Sequence, residues 1–153
     1  MTGKQASAGK TNPKEKLIST EQITVQKDRI SFVIKLSPQL PHETDALWTQ
    51  YSLATYPELT HHSCVNDFGD TFGATISHTP IPHLLEHIII TEQVRMADPS
   101  DNTPLMGTTR WVNRDQKIAR IDVRFTSDIV ALEAFHNALN FLETFAQQNY
   151  NHA

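Results

Sequence analysis

The chain of 153 residues holds a single cysteine, Cys64, so no internal disulfide can form. No apolar run reaches the roughly 20 residues that a membrane-spanning helix needs. Nothing resembles the apolar core of a signal peptide, and a cytoplasmic location is the expectation. No Gly-rich phosphate-binding loop occurs, so there is no sign of nucleotide chemistry. Positive charge is also short: 13 Lys and Arg face 17 Asp and Glu, for a net charge of -4. Lys4, Lys10, Lys14 and Lys16 against Glu15 give the first twenty residues +3, which leaves -7 on the remainder. An acidic folded part argues against nucleic acid as a partner and for a cationic one.

What is there fits one domain. The length and a hydrophobic content of 39% allow a buried core. Residues 1–19 are mostly Lys, Gly, Ser, Thr and Asn, a composition that cannot offset the entropy of ordering, so a disordered basic tail is predicted, followed by a single domain over 20–153. Ile23–Val25 and Ile30–Leu36, separated by Lys27 and Asp28, read as a hairpin closed by Pro38 and Pro41. Leu47, Trp48, Tyr51 and Ala54 recur at helical spacing up to Pro57. Gly107–Val112 and Ala119–Phe125 form a second hairpin, in which Ile121, Val123 and Phe125 alternate with Arg120, Asp122 and Arg124. Val130, Leu132, Phe135, Ala138, Leu139, Leu142 and Phe145 mark a last amphipathic helix that starts after Ser127 and Asp128. The predicted class is therefore α+β: a two-layer domain with an antiparallel sheet of about four strands, one face covered by helices. The other face is left to solvent or to a second copy of the chain, as in a homodimer.

The chemistry-bearing stretch is Pro80–Glu92, which contains His83, Glu86 and His87. Histidines four apart lie on one helix face, with Glu86 beside them. Two imidazoles one turn apart can bind Zn²⁺ through neutral nitrogens, leaving room for a third protein ligand and a water whose proton Glu86 would take. The order H-x-x-E-H is that of the inverzincins. The plainer alternative is two histidines and a glutamate on the half-exposed face of an ordinary helix. Context favours the metal. Thr79 is placed to cap the helix, Pro80 or Pro82 fits its first turn, and Leu84, Leu85, Ile88, Ile89 and Ile90 make it apolar around most of its circumference. Such a helix is buried, and its polar side chains then need partners.

With these residues assembled, the chain resembles the N-terminal domain of cyanophycin synthetase. The resemblance runs from about residue 56 to 125. It is carried by Tyr56-Pro57-Glu58-Leu59, His62-Ser63-Cys64, the turn glycines Gly69 and Gly73, Thr79 ahead of the His83–His87 motif, and Gly107-Thr108-Thr109-Arg110. The family's tryptophan after the threonine is Pro80 here, and its acidic residue is Thr91. The resemblance implies a small domain with a metallopeptidase-like site that cuts a polymer of aspartate bearing arginine. The motif helix between antiparallel strands is also similar to pitrilysin-type metallopeptidases and to S-ribosylhomocysteine lyase, which take a third ligand from downstream.

Four residues compete for the third metal position: His62, Cys64, Glu92 and His78. His62 ranks first, because it lies in the matched segment and its imidazole suits zinc. Glu92, five residues past His87, is turned about 140° around the helix axis from it. Cys64 also reads as a small buried apolar residue. Arg110 is a candidate to hold a substrate carboxylate or an oxyanion, or else to sit in an ion pair on its strand. The expectation is a zinc hydrolase of amide or peptide bonds acting on a peptide or polyamino acid. A silent peptide-binding module and a metal-dependent lyase or isomerase are the alternatives.

Overall fold

The computed structural model describes residues 15–151. Four strands form one antiparallel sheet: β1 (Ile18–Val25), β2 (Arg29–Leu36), β5 (Gly107–Asn113) and β6 (Ile118–Arg124), in the order β1-β2-β6-β5. A small hairpin, β3 (Ser63–Asn66) and β4 (Gly69–Thr71), stands apart from it. The helices are α1 (Ala46–Thr55), α2 (Ile81–Met96) and α3 (Asp128–Tyr150), with 3-10 turns at Pro57–His61 and Phe72–Ala74. The domain is the predicted α+β class. None of the three helices is long and apolar enough to cross a membrane.

Alternation along the strands decides the layers. Ile30, Phe32, Ile34 and Leu36 on β2, and Ala119, Ile121 and Val123 on β6, are buried on the helix side. Phe32 stacks on Phe135 of α3 at 3.9 Å between ring centroids. Trp48 of α1 packs on Phe145 and donates its indole N–H to the Tyr150 hydroxyl at 2.9 Å. Ser127 caps α3 by accepting from the Val130 amide.

α2 runs through the middle of the helix layer, with every residue from Leu84 to Thr91 buried. Leu84, Leu85, Ile88 and Ile89 are fully buried, and each such side chain contributes about 1.5–3 kcal/mol. That total outweighs the about 1–3 kcal/mol that an unpartnered buried polar group would cost, so the helix can carry Glu86, His87 and Thr91 inward.

Two expectations are corrected. The sheet begins before residue 20, because Leu17 and Ile18 are core residues whose amides both donate to the Glu143 carboxylate of α3, at 2.8 Å in the case of Ile18. Residues 1–14 of the predicted tail lie outside the described residues. The second correction concerns Thr79, which does not cap α2: the cap position is Pro80, with no side-chain hydrogen bond.

Candidate metal centre

Three segments meet on the first two turns of α2. The hairpin β3–β4 carries Cys64 and is held against α2 through the turn Phe72–Ala74. Gly73 in that turn sits so close to Thr60 that a Cβ would lie 2.6 Å from the Thr60 carbonyl oxygen, so only glycine permits the approach. Phe72 is thereby placed flat against the His87 ring at 4.0 Å and edge-on to His83 at 5.1 Å. β5 closes the other side, where Thr109 donates its hydroxyl to Glu86 Oε1 at 2.7 Å.

His83, His87 and Cys64 converge, with one donor atom from each lying within 4.8 Å of the others. The His83 and His87 Nε2 atoms are 3.2 Å apart, and Cys64 Sγ is 3.6 Å from His83 Nε2. Zinc–nitrogen bonds of about 2.05 Å and a zinc–sulfur bond of about 2.3 Å at tetrahedral angles place two nitrogens about 3.4 Å apart and a nitrogen and sulfur about 3.6 Å apart. The His83–His87 and His83–Cys64 separations are those that a tetrahedral ion would impose.

The hydrogen bonds fix which nitrogens face inward. Thr91 donates its one hydroxyl proton to the His87 carbonyl at 2.9 Å, so at its 3.1 Å contact with His62 Nε2 it is the acceptor. Neutral His62 then carries its proton on Nε2 and accepts at Nδ1 from His87 Nδ1–H, 3.0 Å away. That leaves His87 Nε2 with a bare lone pair toward Cys64 and His83. On His83 the outer nitrogen Nδ1 meets the Thr79 hydroxyl at 2.7 Å. Each ligand histidine thus has its second nitrogen held by a partner, the arrangement that orients metal-binding imidazoles.

His62, expected as the third ligand, stands behind His87 and outside the group that could hold a metal, and Cys64 completes that group. His62 meets His87 Nδ1 through its own Nδ1 at 3.0 Å and Thr91 through its Nε2 at 3.1 Å, so both of its nitrogens are engaged away from the cluster. Glu92 accepts from the Tyr56 hydroxyl at 2.7 Å and from Asn137 at 3.1 Å, away from the cluster, and His78 is exposed. Arg110 borders the same cavity from the free edge of β5. Its neighbour Thr109 faces Glu86, so the Arg110 side chain leaves the strand on the solvent face and does not touch the ligands.

Burial drives the His87 imidazole far below its ordinary pKa, with further lowering from neighbouring His83 and His62. Burial also lowers His83 and His62. All three are neutral at pH 7, as metal binding requires. Burial raises the Cys64 thiol, so a metal must displace its proton. Glu86 lies beside the cluster, Oε2 being 3.6 Å from His87 Nε2, and burial pushes its carboxyl up to about 7 against the opposing hydrogen bond from Thr109.

Sequence reasoning passed over Gly107, Thr109, Thr91 and Phe72 as parts of the site. A Cβ on Gly107 would come within 2.9 Å of Glu86 Cγ and Oε2. Gly107→Ala is therefore expected to push Glu86 off Thr109 and to cost about 1–3 kcal/mol through overpacking, read as a lower urea midpoint, with metal binding retained because no ligand moves. The strand signal was available: on β5, Gly107 and Thr109 share the face turned to α2.

No family model, curated protein or solved structure matches the chain. The functional reading accordingly stands on this geometry.

Proposed function

We propose that the chain is a zinc-dependent hydrolase of amide bonds in peptides or polyamino acids, with His83, His87 and Cys64 as ligands and Glu86 as the proton carrier. The observation that carries this reading is the convergence of three donors, all within 4.8 Å of one another, beside a buried carboxyl. When bound, zinc would polarise the carbonyl under attack and lower the pKa of water to about 7. Glu86, its Oε1 pinned by Thr109, presents Oε2 to the cluster. It takes the proton of the attacking water and hands it to the leaving amine. An acid with a pKa near the working pH performs both transfers well.

The cleft supports a polypeptide substrate. It encloses about 680 Å³ between α2 and the unpaired edge of β5, along which Leu105 to Trp111 line it continuously. An extended peptide can hydrogen-bond to such an edge as an added strand. Exposed Val65, Val94 and Met106 stand around the opening, and Glu86 is the only carboxylate in the lining. The lining thus favours apolar substrate side chains over the cationic ones suggested by the net charge. The cysteine donor favours a second reading, a lyase or isomerase in which Glu86 moves a proton next to a carbonyl.

Protein purified without chelator is expected to hold one zinc per chain, and its cobalt-substituted form to show a thiolate-to-cobalt charge-transfer band that Cys64→Ser removes. His83→Ala and His87→Ala should empty the site. His62→Ala should keep the metal with affinity about 10–100-fold lower, as for other partners of ligand histidines. A wild-type chain that stays empty when zinc is supplied overturns the reading and leaves a peptide-binding module without catalysis.

A further inference from the structure

The solvent face of the sheet carries a feature that the metal centre does not use. With Ile30, Phe32 and Ile34 of β2 and Ala119, Ile121 and Val123 of β6 turned to the core, Arg29, Ser31, Val33 and Lys35 and, on β6, Arg120, Asp122 and Arg124 stand on the opposite face. Arg110 joins them from β5. The register sets Arg29 directly across from Arg124, and Arg110 directly across from Arg120. Like charges opposed in this way sit with Cβ atoms about 4.5–5.5 Å apart and destabilise an antiparallel pair. Two such pairs stand on one face in a chain of net charge -4, and of these four arginines only Arg120 has a carboxylate partner among the described residues.

The one carboxylate registered among them is already engaged. Asp122 accepts from Arg120 Nε at 3.1 and 3.2 Å and from the Ser31 hydroxyl. Arg29 donates only to Gln26, at 2.6 Å. Among the described residues the side chains of Arg110, Arg124 and Lys35 make no hydrogen bond or ion pair, and Glu21 on β1 and Asp28 in the turn before Arg29 form no ion pair with any of these cations. Beside the Arg29–Arg124 pair lies a cleft of about 220 Å³, bounded also by Met106, Thr108 and Asp122.

We propose that this face binds an extended acidic peptide segment, one carboxylate bridging Arg29 and Arg124 and another bridging Arg110 and Arg120. The two pairs are four residues apart on β6, about 13 Å. An extended peptide places side chains i and i+4 on one side at that same separation. Guanidinium forks suit carboxylates, which they bind bidentately. Asp122 stands at the midpoint between the pairs, so a polymer charged at every step would set an anion against it. No aromatic side chain lies among these residues for a base to stack on, which removes the platform that single-stranded nucleic acid uses. The proposal does not depend on the metal reading: of the four arginines only Arg110 borders the metal-site cavity, and the substitutions that test it, at Arg29 and Arg124, lie outside that cavity.

Fluorescence anisotropy at low salt with a labelled Ser/Thr peptide bearing two glutamates four positions apart tests it. The peptide is expected to bind, to weaken as salt rises, and to lose about tenfold or more in affinity in Arg29→Ser and in Arg124→Ser. Either variant should also melt at or above the wild-type temperature, since it relieves a like-charge pair, so a loss of binding is not unfolding. Equal binding by the glutamine version of the peptide, unchanged affinity in both variants, or tighter binding of an oligothymidylate or of inorganic phosphate would overturn the proposal.

Discussion

Glu86→Gln is expected to reduce peptide hydrolysis by about 10²–10⁴-fold, the range that a positioned general base supplies, while zinc content and fold are retained. The substitution keeps the side-chain volume, and its amide oxygen can still accept from Thr109 at the place where Oε1 now lies 2.7 Å from that hydroxyl. It removes only the ability to take a proton. Because Glu86 is almost fully buried and its carboxyl is raised to about 7, a neutral isostere also relieves a desolvation cost, and the variant should melt no lower than the wild type. Incubating zinc-loaded wild type and variant with peptides rich in apolar residues and with basic peptides, and detecting new termini by mass spectrometry, reads the effect. Equal cleavage by both proteins would remove Glu86 from the reaction.

The helix that carries the site was legible because its signal is local: an apolar run of helical length, two prolines at its start, and ligand-type residues one turn apart. The sheet followed from alternation in Ile30–Leu36 and Ala119–Arg124. The start of β1 was hidden because Leu17, Ile18 and Ser19 fall at the end of the polar stretch 1–19 that reads as tail. What holds it in place is Glu143, 125 residues away in the chain from Ile18, a contact that no local pattern announces.

The third ligand was hidden for a related reason. His62 and Cys64 share one short extended segment, yet His62 meets His87 Nδ1 whereas Cys64 meets His83 Nε2. Which of them meets an inner nitrogen depends on how the hairpin docks on the helix, where Gly73 packs closely on Thr60, and no local pattern announces that. Arg110, singled out in the matched segment Gly107 to Arg110, borders the cavity, while strand alternation assigns the Glu86-facing position to Thr109.

The metal-free protein should lose stability steeply as pH falls below about 6.5. His62, His83 and His87 all titrate in the fold below the unfolded value, so the stability they contribute is present above about pH 6.5 and is lost as protons drive them out of the fold. Glu86 works in the opposite direction: its carboxyl, raised to about 7, favours the fold at low pH and gives that contribution up between about pH 4.5 and 7. Between these limits three imidazoles oppose one carboxyl. The unfolded chain binds more protons than the native one, so stability should climb with pH and level off above about pH 7. Zinc adds a second dependence. The histidines in the fold are already neutral, whereas the Cys64 thiol, raised by burial, must surrender a proton to the metal, so the extra stability given by zinc should itself grow with pH. Urea titrations of chelated and zinc-saturated protein from pH 5 to 8 measure both. His87→Phe, which keeps a flat ring against Phe72 and cannot be protonated, should make the chelated profile shallower; an unchanged slope would mean that the buried imidazoles do not govern it.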